Sequence, residues 1–279
     1  MDAAKPAPGT DIRIISEPSV YVIGRQTVDD TELDRFLTDH GVSWESDSEV
    51  AAEVVTETAG RVCYMSFAKP RPGGNATYLH HIKEVGHGSV LEHGVWNLLF
   101  TGVSRSLTHE LVRHRAGMGY SQLSQRYVDE SVAEYVEPDI IAADPELHAL
   151  WLDAVGHAHA AYVKLAEKLN AKLTDPQAAA TAMIPPGADR TTRRKAARQA
   201  ARSVLPNATE TKIFVTANAR ALRHFLEQRG AAGAEPEIRK LAGKVLDILQ
   251  KESPNLFGDY HKIPLPDGTF EVTTAFKKV

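Results

Sequence analysis

The chain has 279 residues, of which 43% are hydrophobic and 24% charged, and its net charge is −4. That is ample for the packed core of one large domain and leaves no room for global disorder. The acidic balance argues against a dedicated nucleic-acid binder and confines phosphate binding to a local pocket, while a single cysteine, Cys63, rules out an internal disulfide framework or a multi-cysteine zinc site.

Residues 1–12 read as a flexible tail without the apolar run of a signal peptide, and residues 13–279 as a single domain. No segment approaches the roughly 20 apolar residues of a membrane span, so a cytoplasmic protein is expected. Residues 19–23 form a short β-type run. Residues 29–39 and 47–58 predict helices with acidic starts that suit the helix dipole, and residues 75–85 a third. Residues 95–103 are apolar and β-leaning. In residues 104–115, Leu107, Leu111 and Val112 follow a helical spacing, and a glycine-bearing loop spans 116–121. Residues 145–173 make a long helical region that is broken by Ile184-Pro185-Pro186-Gly187. A very basic helix covers 191–205 and stops at Pro206. Residues 211–216 lean to strand, 217–228 and 235–251 to helix, and the tail from 264 holds a small hairpin around Asp267-Gly268. The fold class is a helix-rich mixed α/β.

Common chemistries fail on spacing. His109-Glu110 invites a zinc-protease reading, but position 113 is arginine where the second histidine belongs; His114 lies about 140° around the helix, and no metal is expected. Gly86-His87-Gly88 lacks the third glycine of a dinucleotide fingerprint. Cys63, at the end of an apolar helix, reads as an inert buried thiol. Arg193-Arg194-Lys195 with Arg198 and Arg202 reads as a solvated helix face; an RNA-binding or regulatory protein using residues 191–202 is the alternative.

The segment 109–127 is the informative one. Arg113, His114 and Arg115 in succession would point about 100° apart on a helix. The loop after them is rich in hydroxyl and amide donors, Ser121, Gln122, Ser124 and Gln125, with Arg126 behind. Such donors suit a planar, anionic ligand, and the residues alone take the argument no further.

This segment resembles the signature of the flavin-dependent thymidylate synthases, an Arg-His-Arg triplet followed by a serine and then Arg-Tyr, here Arg126-Tyr127. Three further segments are similar in the same order: Gly86-His87-Gly88-Ser89-Val90-Leu91-Glu92-His93, Arg202-Ser203-Val204-Leu205-Pro206, and Asn218-Ala219-Arg220-Ala221-Leu222 with Phe225-Leu226 and Arg229. The resemblance implies an α/β fold, a homotetramer whose active sites draw on several subunits, and reductive methylation of carbon-5 of dUMP. Methylenetetrahydrofolate is then the one-carbon donor, FAD the reducing cofactor and NADPH its reductant. Carried over by position, it assigns Ser89, Glu92, Arg113, His114, Arg115, Asn218, Arg220 and His224 to the flavin, with His87 near flavin and folate. Glu110, Gln122, Ser124, Gln125, Arg126, Arg202 and Arg229 go to the nucleotide.

The catalytic expectation is electrostatic. Carbon-5 of uracil is a poor nucleophile, and the cysteine-dependent thymidylate synthases activate it by attack on carbon-6. Here the one cysteine is outside the signature, so cationic donors must stabilise charge developing on the uracil carbonyls. Arg229 is expected in that role with Arg202 assisting, and Ser124 orients the substrate without acting as a nucleophile.

The chain departs from the pattern in three places. Some members carry glutamine where Glu110 stands, and at least one carries asparagine where His224 stands. The spacing from the triplet to Ser124 is eight residues, 116–123, against the usual seven, with the extra length in Ala116-Gly117-Met118-Gly119. The extra residue reads either as a harmless loop variant or as a reshaped pocket or subunit contact, and a related branch that methylates UMP in nucleoside-antibiotic biosynthesis is the alternative to the dUMP enzyme.

Overall fold

The computed structural model describes residues 12–69, 72–128, 130–132 and 134–279. The expected tail, residues 1–12, lies outside them except for Ile12. The chain opens with β1 (Arg13–Ile15), β2 (Ser19–Arg25), α1 (Asp30–Asp39), α2 (Ala51–Tyr64) and α3 (Gly74–Glu84). A 3-10 turn (Gly88–His93) leads into β3 (Val95–Ser104), α4 (Arg105–Leu111), β4 (Met118–Gln122), β5 (Glu134–Val136), α5 (Asp139–Ala142), α6 (Pro145–Lys172), α7 (Pro176–Thr181) and α8 (Arg190–Ala201). A second 3-10 turn (Arg202–Val204) precedes β6 (Glu210–Asn218), α9 (Ala219–Arg229), α10 (Pro236–Glu252), α11 (Pro254–Phe257), β7 (His261–Pro264) and β8 (Phe270–Thr273). The fold is a helix-rich mixed α/β, as expected.

Short polar side chains start many of the helices. Asp29, Asp144, Asp175, Asp189 and Asn218 each accept a backbone N–H in the first turn of α1, α6, α7, α8 and α9, satisfying donors that a helix start leaves free. Two helices differ from expectation. α2 begins at Ala51 and not near 47, because Ser46 and Ser48 accept the N–H groups of Ser48 and Val50, local bonds that compete with helix. α4 ends at Leu111 and not at 115. The expected loop 116–121 contains β4: Asn218 N–H donates to Gly117 O and Leu123 N–H to Lys212 O, the antiparallel sense against β6.

The chain divides into two compact units. The first comprises Met1–Glu17, Thr101–His109 and Gln122–Lys212. In it β1 and β5 pair in parallel, Tyr135 and Val155 form a small core with Ile12, Trp151 and Ala208, and Leu173, Ile184 and Ala197 form another beneath α8.

The second unit comprises Pro18–Phe100, Glu110–Ser121 and Ile213–Val279. The four-stranded sheet runs in the order β2-β3-β6-β4. α10 buries Ile238, Leu241, Ala242, Val245, Leu246 and Leu249 on one face, the repeat expected of an amphipathic helix. Two buried carboxylates carry much of the polar architecture. Glu53 accepts from Ser48 Oγ, Ser253 Oγ, and both the N–H and Nδ2 of Asn255. Asp259 receives both Nη atoms of fully buried Arg223 at 2.8 Å, Lys83 Nζ at 2.7 Å and Thr274 Oγ1.

Burial alone would raise the Asp259 carboxyl pKa, but Arg223 and Lys83 outweigh it and hold the group well below the usual carboxylate range. Its contribution is therefore in place above about pH 4 and is lost as pH falls further. Asp259→Asn leaves Arg223 and Lys83 buried without their counter-charge, and urea unfolding at pH 7 should show a loss of about 3–5 kcal/mol. A loss under about 1 kcal/mol would show that the pair acts as an exposed one.

Candidate active site

The Arg-His-Arg triplet is not helical. Beyond Leu111 the chain tightens into a turn, with Arg113 N–H donating to Glu110 O and His114 N–H to Leu111 O. The triplet thereby splits. Arg113 and Arg115 are exposed, whereas His114 turns inward against His224 and Phe225, at ring centroid distances of 5.5 and 5.8 Å. Burial, then Arg229, then His224 lower the His114 pKa to about 4. The imidazole is therefore neutral at pH 7, and its Nε2 accepts from Arg229 Nε at 2.9 Å. The unfolded chain binds a proton near pH 6.5 that folded His114 refuses until about pH 4, so this group removes stability as pH falls through that window.

Arg229, the last residue of α9, completes the arrangement. Its Nη1 forms a very short ion pair with Glu110 Oε2, and its Nη2 donates to Glu110 O at 3.3 Å. Glu110 and Arg229 are 32% and 22% exposed, so the guanidinium is held in a fixed direction while an edge stays accessible.

At the other end of α9, Asn218 is the N-cap, its side chain accepting from Ala221 N–H. Arg220 pairs with Glu92 at 2.7 Å. Asn218, Arg220, His224 and Glu92 line a cavity of about 470 Å³ together with Ala116, Gly117, Gln228, Lys278 and Val279. His87 precedes the 3-10 turn, its ring parallel to that of Tyr64 at 6.4 Å, and Ser89 lies exposed in that turn. All residues expected to line the flavin thus fall in the second unit. Cationic side chains, a neutral imidazole and a helix N-terminus are donors that fit a dinucleotide carrying a diphosphate and a polar ring.

The residues expected at the nucleotide divide. Glu110 and Arg229 belong to the second unit; Gln122, Ser124, Gln125, Arg126 and Arg202 belong to the first. In the first unit, Gln122 Nε2 donates to Thr108 and Thr211 hydroxyls. Ser124 Oγ accepts from Arg126 N–H at 3.3 Å, and no histidine or carboxylate is recorded against it among the described residues. Gln125 Nε2 and Arg126 Nε are buried donors without an acceptor among the described residues, as is Arg105 Nε. An orphaned buried donor costs about 1–3 kcal/mol, and three near one turn suit a ligand bearing several acceptor oxygens.

Four residues escaped the sequence reading. Arg105 donates from Nη2 to Leu123 O at 2.9 Å, fixing the residue before Ser124; an arginine at a strand-to-helix junction, eight positions ahead of the triplet, was the available signal. Tyr120 places its hydroxyl 2.9 Å from Leu111 O and 2.7 Å from His114 O, and burial pushes its pKa up to about 12. Lys278 and Val279 reach the cavity from the far end of the chain, which no local pattern reveals. Cys63, expected to be buried, is exposed on the last turn of α2.

A model of the family described as thymidylate synthase complementing protein matches residues 47–255. A flavin-dependent thymidylate synthase of Mycobacterium sp. (strain JLS) is 50% identical over 86% of this chain and 91% of its own. The protein of the same name from Mycolicibacterium gilvum (strain PYR-GCK) is 50% identical over 84% and 89%, and that from Corynebacterium diphtheriae 44% identical over 86% and 92%. Among solved structures, a UMP/dUMP methylase PolB from Streptomyces cacaoi, bound with 5-Br dUMP, aligns with TM-score 0.57 and 20% identity over 88% of this chain and 95% of that one, a likeness of fold.

The two glycines of 116–119, where the one extra residue lies, differ in tolerance. Gly117 has φ +70°, and a Cβ there would approach the Asn218 side chain to 2.7 Å; at Gly119 the nearest atom would be Thr216 Cβ at 3.9 Å. Gly117→Ala should lower stability by more than about 1 kcal/mol through backbone strain and displacement of the α9 cap, whereas Gly119→Ala should change it by under about 0.5 kcal/mol. Equal effects of the two in thermal unfolding would contradict this account.

Proposed function

The chain belongs to the family of flavin-dependent thymidylate synthases, and on that premise we propose that it converts dUMP to dTMP in the cytoplasm, with FAD as cofactor, methylenetetrahydrofolate as one-carbon donor and NADPH as reductant. It is a flavoprotein methyltransferase. The observation that carries the nucleotide assignment is the set of orphaned buried donors on Arg105, Gln125 and Arg126, which a nucleotide phosphate and a uracil edge would satisfy.

The division of labour follows from the chemistry of the side chains. Arg113, Arg115 and Arg220 offer cationic donors to the flavin diphosphate, and Asn218, His224, Ser89 and Glu92 shape the remainder of that site with His87 at its folate side. Bound there, reduced FAD supplies the reducing equivalents that turn the transferred carbon into a methyl group. Ser124, Gln125 and Arg126 hold the nucleotide, with Gln122 steadied by two threonine hydroxyls. The chain is expected to assemble as the family's homotetramer, whose sites are built from several subunits.

Carbon-5 becomes nucleophilic when electron density on the uracil carbonyls is stabilised. Arg229 supplies a fixed, permanently charged donor for this, assisted by Arg202. Neutral His114 accepts from Arg229 Nε and so orients the guanidinium without adding a second charge. Cys63, the one cysteine, is bonded to Ala59 O within its own helix and takes no part. Among the described residues no base is seen beside Ser124, and it orients substrate.

The test is release of label from carbon-5 of dUMP and of UMP, side by side, with methylenetetrahydrofolate and NADPH. The reading predicts release from dUMP by a yellow, FAD-bearing protein and little from UMP. Faster release from UMP would assign the chain to the ribonucleotide branch, and none from either would defeat both.

A further inference from the structure

The basic helix α8 is not a free cationic face. Arg198 is buried at 9% exposure, and its Nη1 donates to Tyr127 O at 2.9 Å. One turn earlier, Lys195 Nζ reaches Tyr127 Oη at 2.5 Å and lies 4.3 Å from the centre of that ring. Tyr127 itself closes a tight turn: its N–H and that of Val128 both donate to Ser124 O, at 3.1 and 3.0 Å, while Arg126 N–H donates to Ser124 Oγ. The two α8 side chains therefore grip one residue by its backbone and its phenol. That residue directly follows Arg126 and is tied through its N–H to Ser124.

Spacing explains why these two do it. Residues 195 and 198 are three apart and share a helix face. Ala197 and Ala201 of α8 are buried, and Ala197 packs against Leu173 and Ile184. At the start of the turn Arg105 holds Leu123 O. The turn is thus fixed at 123 by Arg105 and at 127 by α8, leaving Ser124, Gln125 and Arg126 between two cationic anchors.

We propose that α8 is a clamp for the nucleotide turn, with Lys195 and Arg198 acting as positioning residues that set the direction of Arg126. Tyr127 is the handle through which they act. This rests on the assignment of Ser124–Arg126 to the nucleotide, and it gives the basic run a role other than RNA binding. Two charge-assisted hydrogen bonds anchor a turn that would otherwise sample several orientations. Their loss lowers nucleotide affinity without touching reacting atoms.

The test uses the full-length, FAD-loaded protein and steady-state kinetics in dUMP. Lys195→Met, at a half-buried position, and Tyr127→Phe, at an exposed one, should each raise KM for dUMP about tenfold, the value of one charge-assisted bond, with kcat within about twofold and FAD content unchanged. Because the two remove the same contact, the double variant should be no worse than either single one. Lys195→Arg should restore most of the loss. Arg198→Met should act in the same direction, and Lys195 serves if that buried substitution fails to fold. Additive effects of Lys195→Met and Tyr127→Phe, or unchanged KM in both, would overturn the clamp. Arg126→Met separates the two readings: if it raises KM while the clamp variants do not, the nucleotide assignment stands and the clamp falls; if it too leaves KM unchanged, the assignment falls.

Discussion

The hydrogen bond from Arg229 to His114 is the constraint on which the second unit's site depends. For Nε2 to accept it, the imidazole must be neutral, and a histidine near pH 7 is neutral with certainty only when its environment opposes the proton. Burial does most of this, and the neighbouring Arg229 and His224 do the rest. The arginine that needs the acceptor thus helps create it. Glu110 adds a carboxylate on the other edge of the guanidinium. The result is an orientation fixed before substrate arrives, which is what electrostatic stabilisation of developing charge requires.

The same bond organises the chain around it. α9 runs from Ala219 to Arg229, and its N-cap and last residue are both tied to the short segment 110–117: Asn218 N–H to Gly117 O at one end, Arg229 to Glu110 and His114 at the other. Breaking α4 at Leu111 makes this possible. A helix continued to 115 would carry His114 onward around its axis. In the turn, His114 faces inward while its two arginine neighbours stay outside. Tyr120 then closes the turn, its hydroxyl placed on the carbonyls of Leu111 and His114. The extra length at 116–119 is therefore part of the structure that holds the triplet, with Gly117 packed against Asn218 and Gly119 free of close contact.

Much of this was legible in the sequence, and the misses share a cause. β2, β3, α1, α6, α9 and α10 carry strong periodicity or capping residues, and their positions match expectation closely. The residues expected at the flavin were taken from motif order, and they gather in one unit. β4 was read as a loop because Gly-Met-Gly has no strand pattern; it pairs with β6, roughly a hundred positions further along. The three-residue strands β1 and β5 are defined by each other more than by their own residues. α4 looked longer because Leu111 and Val112 continue a helical spacing, and the tyrosine whose hydroxyl donates to the turn's carbonyls lies beyond the triplet. α8 looked solvated because charge was visible and partners were not: Tyr127, which receives Lys195 and Arg198, is some seventy residues earlier.

Two kinds of cation therefore serve the proposed nucleotide site, those that would touch substrate and those that hold others in place. The distinction is sharpest at Arg229, where a fixed charge is assigned to the chemistry itself. The most direct measurement is the rate of carbon-5 label release from dUMP by Arg229→Met, with FAD content measured on the same sample. The account predicts a fall on the order of 10²–10³ with FAD retained. Release at the unmodified rate would contradict it.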